Sequence, residues 1–247
     1  MVDKELPISG EVFNVAGRTA FLLTPRQERA KGPTPWIWYA PTLPMYPGTE
    51  EQWMFQTFLD AGLAVAGIDV GESYGNPQGR ALFSALYDEL VQNRGLGRKA
   101  CLLARSRGGL MLYNWAAEHP SAVACIAGIY PVGNLTSYPG LTKASEAYGM
   151  TPEQLQEHMS EHNPIDRLEP LAKAGVPIFH IHGDSDTVVP MEDNSAELAR
   201  RYRQLGGEMT LRIAASQGHN MWLGFFQCQE LVDFVIHQAR RHVSLAS

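Results

Sequence analysis

The 247-residue sequence predicts an α/β fold built on a mostly parallel eight-stranded sheet with helices on both faces. Three observations predict it. Short apolar runs of strand length recur along the chain, and stretches with apolar residues at helical spacing separate them. A composition of 45% hydrophobic and 19% charged residues supplies enough apolar side chain to bury such a sheet on both sides. The length lies within the range of one α/β domain, so residues 1–247 are expected to form a single domain.

Glu11 to Val15 and Thr19 to Thr24 read as two early strands. The apolar runs Trp36 to Ala40, Leu63 to Asp69, Ala100 to Ala104, Ala122 to Tyr130, Pro177 to His182 and Met209 to Ala214 supply six more. Between them, Leu82, Phe83, Leu86, Leu90 and Val91 recur at helical spacing, as do Leu198, Tyr202 and Leu205 before the stop signal Gly206, Gly207. Leu110, Met111, Leu112, Tyr113 and Trp115 are apolar almost all round, which predicts a helix buried on several sides. Phe225, Leu231, Phe234 and Val235 carry a last helix. Residues 131–163 break the rhythm and read as a small cap-like insertion after the sixth strand. Its helical piece, Thr151 to His162, is capped by Thr151 with Pro152 at the first helical position.

Composition excludes several classes of function. Twenty Lys plus Arg against 26 Asp plus Glu give a net charge of −6 with no basic stripe, which argues against nucleic acid as a partner. Cys101, Cys125 and Cys228 sit in apolar contexts without metal-ligand spacing and read as small buried hydrophobes. No cofactor and no metal is implied. MVDKELPISG lacks an apolar signal core, and no apolar run approaches the roughly 20 residues that span a bilayer. A cytoplasmic location is the default expectation.

The most informative segment is KACLLARSRGGLMLYNW, Lys99 to Trp115, which reads as a strand, a one-residue turn at Ser106 and a helix. A serine held at such a turn adopts a sparsely populated backbone conformation, and the residues two before and two after it must be small. Ala104 and Gly108 meet that need, and Gly109 allows close packing of the helix. The small-x-Ser-x-small pattern also occurs around Ser73 and Ser216, so the pattern alone decides nothing. Context decides: Ser73 is followed by Gly75, Asn76, Pro77 and Gly79, and Ser216 by Gly218 and Asn220, both loop chemistry. Ser106 is therefore the expected nucleophile.

A serine hydroxyl needs a base to take its proton and an acid to orient that base. The loops HGDSDTVVP and SQGHNMW follow successive predicted strands and place Asp186 and His219 at their carboxyl ends, where open parallel sheets carry functional residues. Of eight histidines, His180 and His182 belong to a strand, whereas His119, His158, His162, His237 and His242 read as helix or helix-end surface residues.

With the order Ser106, Asp186, His219, the chain resembles the α/β-hydrolase-fold serine hydrolases, an esterase and prolyl-oligopeptidase-like superfamily, over nearly its whole length. The family's acid loop runs His, Gly, two variable residues, Asp, two variable residues, Val, Pro. His182 to Pro190 fits that register, which implies that the acid is Asp186 and leaves Asp184 as a turn residue. The resemblance implies an oxyanion hole of two backbone N–H groups, one from Arg107. The second should come from the loop after the third strand, where relatives often carry His-Gly. Here that loop is Ala40 to Pro44; Pro41 and Pro44 have no N–H, so Thr42 is the first choice and Leu43 the second. The Arg107 side chain either binds a substrate carboxylate or supplements the oxyanion hole, or else it pairs with a neighbouring acid.

Leu43, Tyr74 and Trp222 are the candidate substrate-contacting residues; Trp38, Tyr39, Met45, Tyr46, Trp53, Tyr138 and Met221 also lie in or near the loops that should ring the site. The reading is a carboxylic-ester hydrolase acting on a small-molecule ester through an acyl-enzyme, with short-acyl or carbohydrate-linked esters favoured. An exopeptidase, amidase or acyltransferase would use the same three residues. A binding module that kept the fold would have no need of all three.

Overall fold

The structure, a computed structural model, describes residues 4–26 and 32–241. Its eight strands are β1 (Glu11–Val15), β2 (Arg18–Leu23), β3 (Thr34–Ala40), β4 (Ala64–Ile68), β5 (Leu96–Arg105), β6 (Val123–Ile129), β7 (Ile178–Gly183) and β8 (Met209–Ala214). They form one sheet in the order β1-β2-β4-β3-β5-β6-β7-β8. Only β2 is antiparallel to its neighbours β1 and β4, and all pairs from β4 to β8 are parallel. The predicted fold class is the observed one. The largest shift in a strand end is at β5, which begins at Leu96 rather than Ala100. Gly97, Arg98 and Lys99 project beyond the core and break the apolar run that marks the rest of the strand.

Ten α-helices accompany the sheet among the described residues: α1 (Gln52–Asp60), α2 (Pro77–Asp88), α3 (Gly108–Glu118), α4 (Leu141–Tyr148), α5 (Pro152–Glu157), α6 (Met159–His162), α7 (Glu169–Lys173), α8 (Glu197–Gln204), α9 (Leu223–Phe226) and α10 (Gln229–Arg241). Because strand side chains alternate between faces, the apolar runs feed two cores. Trp36 and Trp38 of β3 and Leu102 and Ala104 of β5 pack with α2, α3 and α8 on one face. Ile37, Tyr39, Cys101 and Leu103 pack with α1, α9 and α10 on the other. The Trp38 ring lies 4.7 Å from that of Trp115 of α3 and 5.1 Å from that of Phe83 of α2, which ties the two helices to the sheet. No helix among the described residues is long and apolar enough to cross a membrane.

In residues 131–163 the predicted capping of Thr151 is present: its side chain accepts from Gln154 N at 3.2 Å, and the Gln154 side chain accepts from Thr151 N. The single helical piece expected there divides at His158 into α5 and α6, preceded by α4, which the sequence concealed. α4 buries only Ala144 and Ser145, too little apolar surface to show a helical period. Leu135, Ala144, Leu155 and Met159 form a third apolar cluster with Tyr74, Leu110 and Val189, so the segment packs over the start of α3. His162 is buried against the Tyr148 ring at 4.8 Å rather than exposed, and His242 lies outside the described residues.

Candidate active site

β5 ends at Arg105 and α3 begins at Gly108, which leaves Ser106 at the turn with φ of +48°. A non-glycine residue there is strained by about 1–3 kcal/mol. The surrounding backbone holds it: Ser106 N–H donates to Ile129 O at 3.0 Å, and Ser106 O accepts from Gly109 N at 2.9 Å and Val132 N at 2.8 Å. Gly108 is required by close approach to the end of β3, because a Cβ there would lie 2.0 Å from Ala40 O. Ser73 and Ser216 stand elsewhere. Ser73 is buried in the loop before α2, and the N–H of Ser216 donates to Asp184 Oδ1 at 2.7 Å.

Ser106 Oγ lies 2.9 Å from His219 Nε2, and His219 Nδ1 lies 2.7 Å from Asp186 Oδ2. A carboxylate only accepts, so the proton of a neutral His219 sits on Nδ1 and the Nε2 lone pair faces the serine hydroxyl. Asp186 Oδ1 accepts from the N–H groups of Val188 and Val189 at 3.0 and 2.8 Å, which fixes the carboxylate plane. Burial opposes its charge, but hydrogen bonds from His182, His219 and Val189 outweigh that and hold Asp186 well below the usual carboxylate range. Tyr130, itself at φ of +36°, lays its ring 4.3 Å from the imidazole of His219 and is steadied edge-on by Phe225 at 4.9 Å. Such an arrangement can take the serine proton as the oxygen attacks a carbonyl carbon.

A cavity of about 100 Å³ adjoins Ser106, lined by Pro41, Tyr46, Arg105, Arg107, Tyr130, His219 and Met221. Its charged wall is Arg105, which the Glu51 carboxylate meets at 2.5 Å although both side chains are almost fully buried. Glu51 also accepts from Tyr39 OH at 2.8 Å and Gly48 N at 2.9 Å. The guanidinium lies over the rings of Tyr46 and Phe226 at 4.4 and 5.0 Å, and its Nη2 donates to Met221 Sδ at 3.0 Å.

The structure thus brings Ser106, Asp186 and His219 together and separates some of the other candidates from them. Arg107 borders the cavity, and its guanidinium pairs with Glu72. Thr42 turns its hydroxyl inward to Tyr39 O at 3.3 Å, and among the described residues the N–H groups of Thr42 and Arg107 meet no backbone acceptor. Leu43 is buried, and its carbonyl accepts from Lys4 Nζ at 2.7 Å. Tyr74 is buried beneath the 131–163 segment, where burial and then nearby Glu72 raise its phenol to about 12. Trp222 is half-exposed but faces a separate surface groove with Arg212, Ile213 and Glu230; its neighbour Met221 reaches the cavity instead. Trp38 and Tyr39 belong to the core. Sequence reasoning missed Glu51, Arg105 and Tyr130. A charged Arg105 ending an apolar strand was the one available signal.

A family model described as "Prolyl oligopeptidase family" matches residues 83–236, more than half of the chain. No curated protein sequence matches it. Among solved structures, dipeptidyl peptidase 4 of Porphyromonas gingivalis superposes with a TM-score of 0.73 at 13% identity, covering 93% of this chain and 35% of that one. Est1E from Butyrivibrio proteoclasticus superposes at 0.70 with 16% identity, covering 94% and 99%. MPT51 of Mycobacterium tuberculosis gives 0.73, 16%, 94% and 100%. The chain therefore spans about a third of the length of that peptidase and nearly all of the two shorter proteins, and at these identities the likeness is one of α/β-hydrolase fold.

Proposed function

Since the chain belongs to the prolyl oligopeptidase family, we propose that it is a serine hydrolase whose substrates are carboxylic esters with short acyl groups. The observation that carries this reading is the unbroken line of hydrogen bonds from Ser106 through His219 to Asp186, ending on a strained serine at a strand-to-helix turn. In this reading Ser106 Oγ attacks the carbonyl carbon while His219 Nε2 takes its proton. The carbonyl oxygen becomes an oxyanion, stabilised by the N–H groups of Arg107 and Thr42. As the tetrahedral centre collapses, the bond to the leaving oxygen breaks, and His219 returns the proton to the departing alcohol. Water then attacks the acyl-enzyme, giving its proton to His219, and Ser106 leaves protonated with release of the acid. Asp186 keeps the imidazole in the required tautomer and stabilises its charged form. Residues 131–163 act as a small cap beside the site.

The cavity supports the choice of acyl group. At about 100 Å³ it is well below the roughly 300–1,000 Å³ of pockets that take a drug-sized ligand, which supports a short acyl group. The second reading, an exopeptidase or amidase, is favoured by the family model's own description. Comparing kcat/KM for acetyl, butyryl and octanoyl esters with aminoacyl amides separates the two. The expected result is acetyl and butyryl esters at least about tenfold better than octanoyl. Turnover of the amides alone would overturn the ester reading.

A further inference from the structure

Beneath Asp186 lies a row of buried polar side chains that the reaction above does not use. His180 and His182 point from β7 to the same face of the sheet, and both are fully buried. Between them stands Ser195, also fully buried, from the π-helical turn Glu192–Ala196. Its Oγ lies 2.9 Å from His180 Nδ1 and 2.8 Å from His182 Nδ1. His180 Nε2 lies 2.7 Å from Tyr113 OH of α3. At the other end, His182 Nε2 lies 2.9 Å from Val189 O and 3.3 Å from Asp186 Oδ2. Gly128 of β6 leaves room for the His180 ring, since a Cβ there would lie 2.5 Å from it.

Proton counting gives this row one direction. Val189 O and the Asp186 carboxylate only accept, so His182 must carry its proton on Nε2. Its Nδ1 lone pair then needs a donor, and the hydroxyl of Ser195 supplies it. Having spent its one proton, Ser195 must accept from His180, which places the His180 proton on Nδ1. The His180 Nε2 lone pair is left for Tyr113 O–H. Every group gives one proton, and every proton points towards Asp186. The opposite direction would set the His182 Nε2 lone pair against two acceptors. The titratable groups facing His182 are His180 on its own strand and Asp186 in the following loop, with Tyr113 and His219 one step further along each way.

We propose that His182 is a positioning residue for Asp186, its Nε2–H bonded to Val189 O and facing, at 3.3 Å, the carboxylate oxygen that orients His219, and that Ser195, His180 and Tyr113 serve to hold it in that tautomer. The inference rests on the reading of Asp186 as the acid of the site. Burial and the neighbouring His182 hold His180 down to about 3, so His180 stays neutral across the neutral range.

The test has two arms. The first is NMR of wild-type protein with ¹⁵N-labelled histidine at pH 7, which needs no activity and no variant. It should show His182 protonated on Nε2 alone and His180 on Nδ1 alone; a His182 proton on Nδ1 overturns the proposal. The second is the pH dependence of fluorophosphonate labelling at Ser106, which needs no substrate, in wild type, His182→Phe, His182→Gln and Ser195→Ala. Without the His182 N–H, Asp186 Oδ2 is left to His219, which favours the imidazolium. The acid limb of His182→Phe should therefore rise by at least about half a pH unit with roughly tenfold slower labelling. His182→Gln, which retains an N–H there, should stay near wild type, and Ser195→Ala should shift in the same direction as His182→Phe. Folded His182→Phe and Ser195→Ala with a wild-type limb and rate would overturn the proposal. If wild type itself takes no label, the hydrolase reading fails, and the NMR arm still decides the row.

Discussion

Replacing Glu51 by Gln should destabilise this protein more than almost any other change that preserves side-chain shape. Its carboxylate has three donors, Arg105 Nη1 at 2.5 Å, Tyr39 OH at 2.8 Å and Gly48 N at 2.9 Å, and no exposed surface. An amide has one oxygen, so at least one of those donors would face an N–H₂ group. The larger effect is on Arg105, left as a buried cation with aromatic rings on two sides and a thioether on a third. Removing one member of such a pair costs about 3–5 kcal/mol, a large share of the roughly 5–15 kcal/mol that stabilises an ordinary domain. Replacing both members relieves the orphaned charge, and Arg105→Met has Tyr46, Phe226 and Met221 to pack against. The double variant should therefore recover to within about 2 kcal/mol of wild type. Urea unfolding followed by circular dichroism on wild type, both singles and the double measures this as a cycle. A Glu51→Gln variant within about 1 kcal/mol of wild type, or a double variant no more stable than that single, would show that Arg105 is not left as a costly buried cation.

Gly108→Ala places a Cβ 2.0 Å from Ala40 O, so it should shift the elbow and lower both stability and Ser106 labelling, by about 1–3 kcal/mol in a urea melt. His180 has a native value of about 3 against 6.5 for an unperturbed histidine. Between those values the unfolded chain binds one proton more than the native protein. Stability should then fall as pH drops below about 6.5, with this residue contributing a slope of about 1.4 kcal/mol per pH unit. Urea melts from pH 7.5 to 4.5 should be flatter by about one proton in His180→Gln; equal slopes would contradict this. Trp222→Ala should leave ester turnover within about twofold, since the ring faces away from the cavity, whereas Met221→Ala should change it more.

What the sequence made legible follows from how local each signal is. β3, β6 and β7 announced themselves as apolar runs because both faces of a parallel sheet are covered, and α3 did so because it is buried nearly all round. Ser106 could be told from Ser73 and Ser216 because strand, turn and helix lie within one short segment. Asp186 and His219 could be placed at strand ends, though only the fold brings them within 2.7 Å. The Glu51–Arg105 pair, 54 residues apart, was hidden because register between α1's entry and β5 decides it. His182 and Ser195 were hidden likewise: His182 reads as a strand residue, and no pattern in the sequence sets Ser195 apart. Trp222 and Met221 are adjacent in the chain, and only the path of the loop before α9 decides which faces the serine.

In the proposed mechanism Ser106 is an activated nucleophile and His219 is its base. The most direct measurement is labelling of the native protein with a fluorophosphonate, followed by peptide mass mapping, in wild type and His219→Ala. Label on Ser106 in wild type and its loss in the variant is the expected result. No label, label on Ser73, or label on Ser106 that persists without His219 would contradict it.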